Sequence, residues 1–127
     1  MDSSKLAQLC RDYADNKKGE NIVVLDVRKV STVTDYFVIC TGTSEPHVRA
    51  IVREIGDQLR EEHNERAHMP EGAERAEWVV LDYFDVIVHV MRADVRALYD
   101  LEGLWGDAAP VKTKAPRKKA APKLKKS

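Results

Sequence analysis

The sequence is poor in the residues that usually announce catalysis, metal binding or a membrane. Only two of its 127 residues are cysteines. Cys10 and Cys40 lack CxxC spacing and each sits in an apolar pattern, so buried free thiols are expected rather than a disulfide or a metal site. The four histidines, His47, His63, His68 and His89, show no two-ligand spacing on one helix face and have no cysteine companions at zinc-site intervals. No metal is expected. There is no G-x-S-x-G elbow, no P-loop and no dinucleotide fingerprint, and neither cysteine has a base beside it, so an enzyme is the weaker class and no cofactor is expected. No apolar run is long enough to span a bilayer, and the opening MDSSKLAQLC has neither the basic start nor the apolar block of a signal peptide. These absences favour a cytoplasmic protein without a membrane partner.

What is present begins with charge. The formal net charge is zero, with 21 basic and 21 acidic side chains, but residues 108–127 hold eight of the former and none of the latter. The first 107 residues therefore carry 13 basic against 21 acidic groups. At 127 residues the chain is long enough for one domain with one core and too short for two ordinary ones, and that domain is placed over residues 1–107. Residues 108–127 are mostly Ala, Pro and Lys and cannot bury enough surface to offset their ordering entropy, so a disordered basic tail is expected. Its cations, Lys112, Lys114, Arg117, Lys118, Lys119, Lys123, Lys125 and Lys126, favour RNA contact through phosphates, although solubilising tails have the same composition.

Periodicity orders the elements of the body. Ser3 or Ser4 can cap a first helix with a stripe of Leu6, Leu9, Cys10 and Tyr13, stopped by Lys17, Lys18 and Gly19. Strands are expected over 22–27 and 36–41. Ser44 is a good N-cap, and Glu45 and Pro46 suit the first turn of a long helix with Val48, Ile51, Val52, Ile55 and Leu59 on its apolar side. This helix is expected to fade near Ala67, before a loop marked by Pro70 and Gly72. Asp94 can cap a last helix carrying Val95, Leu98, Tyr99 and Leu101, and Leu104 and Trp105 are placed to close an edge of the core. The order describes an α/β fold with a mixed sheet and flanking helices.

The most informative stretch is WVVLDYFDVIVHVM, residues 78–91. Two runs rich in β-branched and aromatic residues flank Asp82, Tyr83, Phe84 and Asp85, the composition of a hairpin. If Asp82 pairs with Asp85, then Trp78 faces His89. Alternation then separates an aliphatic face, Val79, Leu81, Val86, Val88 and Val90, from a second face, Trp78, Val80, Ile87, His89 and Met91, rimmed by Asp82 and Asp85. The second face is too apolar for solvent. Either a second layer of the same chain or an outside partner must cover it. For His89 both a packed position and a hydrogen bond to a partner are open, and the two aspartates either serve the turn or meet a basic surface.

The Gly42-Thr43-Ser44 turn, leading from a strand into a helix, invites comparison with nucleotidyltransferases, in which such a turn helps hold phosphates. Metal-assisted phosphoryl transfer needs carboxylates converging on the cation. None lies near Ser44: Glu54 and Asp57 fall in the long helix, and Asp82 and Asp85 flank a distant turn. A nucleotide-binding enzyme and a generic RNA-binding protein acting through the tail are the competing readings.

The segments LDVRKVSTVTDYFVICTGTSEPHVRAI, EWVVLD with DVIVHVM, and RALYDLEGLW recur in order and at family spacing, and by them the chain resembles the ribosomal silencing factors of the Iojap family. The resemblance covers nearly all of residues 5–105. It implies a nucleotidyltransferase-like fold without transferase activity. It further implies binding to the large ribosomal subunit through ribosomal protein number fourteen, which blocks joining of the small subunit and lowers translation when nutrients are scarce. Relatives in the family can form homodimers. By resemblance the partner surface includes Trp78, Tyr83, His89 and Met91; the hairpin reading adds Val80, Asp82, Phe84 and Asp85. The family usually has glycine where this chain has Phe84, and a two-residue loop commonly asks for positive φ, which a bulky residue resists. A type I turn in a longer loop would admit Phe84 and shift the register.

Overall fold

A computed structural model describes residues 1–71 and 76–99, and the backbone of Ala109–Pro110. In chain order the elements are α1 (Ser3–Asn16), β1 (Glu20–Asp26), β2 (Tyr36–Gly42), α2 (Glu45–His63), β3 (His68–Glu71), β4 (Trp78–Asp82), β5 (Val86–Arg92), α3 (Ala93–Tyr99) and β6 (Ala109–Pro110). The strands form one sheet in the order β3-β4-β5-β2-β1-β6. Among the described strands only β2 and β5 run parallel, with Tyr36 opposite Val86 and Gly42 opposite Arg92; the other neighbours are antiparallel. The expected α/β architecture with a mixed sheet is present. Two short edge strands extend it.

Helices α1 and α2 cover one face of this sheet. In α2, Val48, Ile51, Ile55 and Leu59 recur at helical spacing and are fully buried. They meet Val38 and Cys40 of β2, Val79 and Leu81 of β4, and Val86, Val88 and Val90 of β5, which form one core with Leu6, Cys10 and Ala14 of α1. Ser44 caps α2 as expected, its Oγ accepting from the His47 N–H at 3.2 Å. Gly42 lies so close beneath α2 that a Cβ there would come within 2.7 Å of the Val48 side chain and 3.0 Å of its backbone nitrogen.

Local chemistry departs from expectation at several ends. Asp2, rather than either serine, caps α1, accepting from the Ser4 N–H at 3.1 Å. After α1 the left-handed position falls on Lys18, with φ 61°. Gly19 is needed for a different reason: a Cβ would collide with the Cys40 sulfur and come within 3.0 Å of the Ala14 carbonyl oxygen. Helix α2 ends at His63, four residues early, because Asn64 takes φ 56°, its N–H donating to the Arg60 carbonyl and the following Glu65 N–H to the Leu59 carbonyl. The expected loop at HMPE is instead strand β3, with Pro70 tolerated at a sheet edge. Helix α3 starts at Ala93, so Asp94 lies in its first turn rather than before it. Ala109 and Pro110, expected in the disordered tail, pair with Asp26 and Leu25. The expectations for Leu101, Leu104 and Trp105, and for the tail cations, lie outside the described residues.

Candidate partner-binding site

The hairpin is β4 and β5, and its register differs from the expected one by two residues. Trp78 pairs with Met91, Val80 with His89 and Asp82 with Ile87. The turn is Phe84-Asp85, closed by the Tyr83 N–H donating to the Val86 carbonyl at 2.9 Å. A type I turn in a longer loop is not used. Phe84 itself takes φ 71°, in the region glycine normally occupies. The Asp85 N–H donates to the Tyr83 carbonyl at 2.8 Å, and the Phe84 N–H donates to Asp82 Oδ1 at 2.8 Å. Asp82 therefore serves the turn.

A slide of two residues preserves alternation, so both faces keep their expected members. The second face is largely covered from within: Met91 clusters with Leu25, Val27, Phe37 and Ile39, and Val95 of α3 packs on this cluster together with Trp78 and Ile87. Arg96 holds α3 there, donating from Nη1 to the Asn21 carbonyl at 2.6 Å and to Thr41 Oγ1 at 2.8 Å. Periodicity did not single out Arg96, and nothing in its spacing points to residues 75 and 55 positions away.

Trp78 and His89 are diagonal neighbours. Trp78 Nε1–H donates to His89 Nδ1 at 3.0 Å, which leaves the imidazole proton on Nε2. The His89 ring also meets Phe37 edge-on, with centroids 5.4 Å apart. His89 is 8% exposed, and burial lowers its pKa from 6.5 to about 4. It is a neutral packed histidine with an internal partner.

The expected surface residues thus separate. Trp78, Val80, Asp82 and, beside them, Ile87 are half-buried on the second face, and Phe84 and Asp85 stand exposed at the tip. Met91 and His89 are buried and present almost no surface. Tyr83, which the resemblance puts on the partner surface, is buried. It continues the Val79–Leu81 alternation into the helix-side core, where it is 5% exposed and its hydroxyl has no hydrogen-bond partner among the described residues. Burial raises its pKa well above the usual phenol range.

The Gly42–Ser44 turn is engaged by its own chain. His47 Nε2–H donates to the Lys17 carbonyl at 2.8 Å, and its Nδ1 accepts from the Thr43 N–H at 2.8 Å. Glu54 accepts from Asn16 and Asp57 pairs with Arg60, so neither turns toward Ser44. Among the described residues no three His, Cys, Asp or Glu side chains are grouped to hold a metal ion, and no helix is long and apolar enough to cross a membrane.

Comparison with known proteins agrees with this architecture. The family model described as ribosomal silencing factor during starvation matches residues 1–127. The ribosomal silencing factor of Halalkalibacterium halodurans is 43% identical over 87% of this chain and 94% of its own length. A crystal structure from Chromobacterium violaceum superposes with a TM-score of 0.80 at 31% identity, covering 94% of both chains. More distant relatives are the chloroplastic Iojap protein of maize, 33% identical, and the mouse mitochondrial protein named for assembly of the ribosomal large subunit, 31% identical; this chain spans 40% of the length of each. On these matches and this fold, the chain belongs to the ribosomal silencing factor family, to which the Iojap proteins are related.

Proposed function

We propose that the protein binds the large ribosomal subunit through ribosomal protein number fourteen, sterically blocks joining of the small subunit, and so represses translation in the cytoplasm under nutrient limitation. It acts by occupying a surface, without catalysis. The observation that carries this reading is the half-buried apolar strip Trp78, Val80 and Ile87, which α3 leaves partly open on the hairpin of a silencing-factor fold. A strip of this composition suits a protein partner: tryptophan is enriched among interface anchors, and the surrounding half-buried apolar area is removed from water on docking. The mouse relative, named for assembly of the large subunit, supports a large-subunit partner. The basic residues 112–126 add contacts to neighbouring ribosomal RNA, and the acidic body leaves phosphate binding to that segment.

The test is co-sedimentation with separated large and small subunits, followed by a joining assay on sucrose gradients. Binding to the large subunit alone, with fewer joined ribosomes, is expected. Equal binding to both subunits, abolished by moderate salt, would overturn the reading and leave only nonspecific attraction to RNA.

A further inference from the structure

Among the described residues five large apolar side chains are exposed, and three of them, Val30 (40%), Val33 (77%) and Phe84 (65%), lie at one end of the sheet. The topology puts them there. Strands β2 and β5 run parallel with Tyr36 opposite Val86, so the loop 27–35 that enters β2 and the turn 83–85 that enters β5 arrive side by side. They are joined: the Asp85 carbonyl accepts from the N–H groups of both Asp35 (3.0 Å) and Tyr36 (3.1 Å).

Both pieces are held in shape before any partner arrives. In the loop, the N–H groups of Val30 and Ser31 donate to the Val27 carbonyl, Ser31 Oγ accepts from the Val33 N–H at 3.0 Å, and Thr34 is buried. In the turn, Asp82 holds the Phe84 N–H while Phe84 keeps its positive φ. Apart from a tilted approach to His68, with ring centroids 5.6 Å apart, the Phe84 ring stands in solvent, and glycine would adopt the turn more readily. Exposure and strain together point to a role outside the chain.

Charge selects the occupant. Within residues 26–35 and 82–85, Asp26, Asp35, Asp82 and Asp85 outnumber Arg28 and Lys29, and Arg28 is already paired with Asp26 at 2.6 Å. An acidic rim repels the phosphates of RNA. It also repels a second copy of a body carrying 21 acidic against 13 basic groups. A protein surface with an apolar recess and basic side chains around it fits both the apolar tip and its rim. We infer that Val30, Val33 and Phe84 form a second, preorganised contact that docks into such a recess on a protein of the large subunit, extending the hairpin strip around the end of the sheet. This rests on the proposed large-subunit binding and adds to it the β1–β2 loop.

The experiment uses the full chain with Val33→Ser and Phe84→Gly, singly and together, in co-sedimentation with purified large subunits, with thermal unfolding measured alongside. A photo-crosslinking residue at position 33 identifies the neighbour. Wild-type binding with at least a tenfold weaker double variant of undiminished thermal stability, and crosslinks to a large-subunit protein, is the expected result. Wild-type affinity in the double variant, or crosslinks to RNA or to a second copy, would overturn the inference while leaving the proposed function standing. Failure of the wild type itself to bind large subunits would overturn the proposed function, and this inference with it.

Discussion

His89 makes stability depend on pH over a defined window. In the folded chain its Nδ1 accepts from Trp78, Phe37 lies edge-on to its ring, and burial lowers its pKa to about 4, against 6.5 when unfolded. Between these values the unfolded chain takes up a proton that the folded chain refuses. Stability therefore falls as pH drops through the window, and below about pH 4 this residue adds no further loss. At ~1.4 kcal/mol per pKa unit the full effect is about 3 kcal/mol. Because carboxylates titrate nearby, the quantity to measure is the difference between wild type and His89→Gln in urea unfolding at several pH values from 7 to 4. At pH 7 the wild type is expected to be the more stable by roughly 1–3 kcal/mol, since glutamine fits the ring-lined site poorly. By pH 4 that difference shrinks by about 3 kcal/mol and can change sign. The folded imidazole is expected to titrate near pH 4 by NMR. A midpoint near 6.5, or a wild-type-minus-variant difference that does not change with pH, would refute the buried neutral assignment.

Ser44→Ala removes the side-chain acceptor for the His47 N–H and is expected to cost about 1 kcal/mol in denaturant unfolding, with Ser44→Asp retaining most of it. Phe84→Gly relieves the positive φ, and urea titration is expected to show a gain of roughly 1 kcal/mol; a loss would mean that the ring stabilises the fold through its 5.6 Å approach to His68. Trp78→Ala is expected to weaken large-subunit binding by more than ~2 kcal/mol at a temperature where circular dichroism shows the variant folded, and unchanged affinity would remove Trp78 as an anchor. Removing residues 111–127 keeps β6 and deletes eight cations, so binding is expected to weaken and the slope of log affinity against log salt to flatten; an unchanged slope would make the segment a solubility device.

The helices and the division of the hairpin into two faces were legible because they depend on periodicities that neighbouring residues carry themselves. Val48, Ile51, Ile55 and Leu59 must share a helix side, and Val79, Leu81, Val86, Val88 and Val90 must share a sheet side, wherever those elements come to rest. The Ser44 cap was equally local. Part of the candidate site was legible for the same reason: Trp78, Val80 and the tip residues fall where alternation puts them.

Register was not local. A slide of two residues leaves every side chain on the same face, so the hydrophobic pattern accepts either pairing. The choice came from closure of the turn at Phe84-Asp85, with a phenylalanine in positive φ, and from the parallel pairing of Tyr36 with Val86. Tyr83 was misplaced because resemblance assigned it a partner, while alternation through the turn sends it into the helix-side core. His89 and Met91 shared the right face, but whether that face met solvent or a partner depended on α3 and on β1, separated by more than 60 residues in sequence and joined by Arg96 to Asn21. Sequence determined which side each residue takes, because alternation and helical pitch are properties of the local backbone. Tertiary structure decided what covers that side, because cover comes from elements that only the completed sheet brings together.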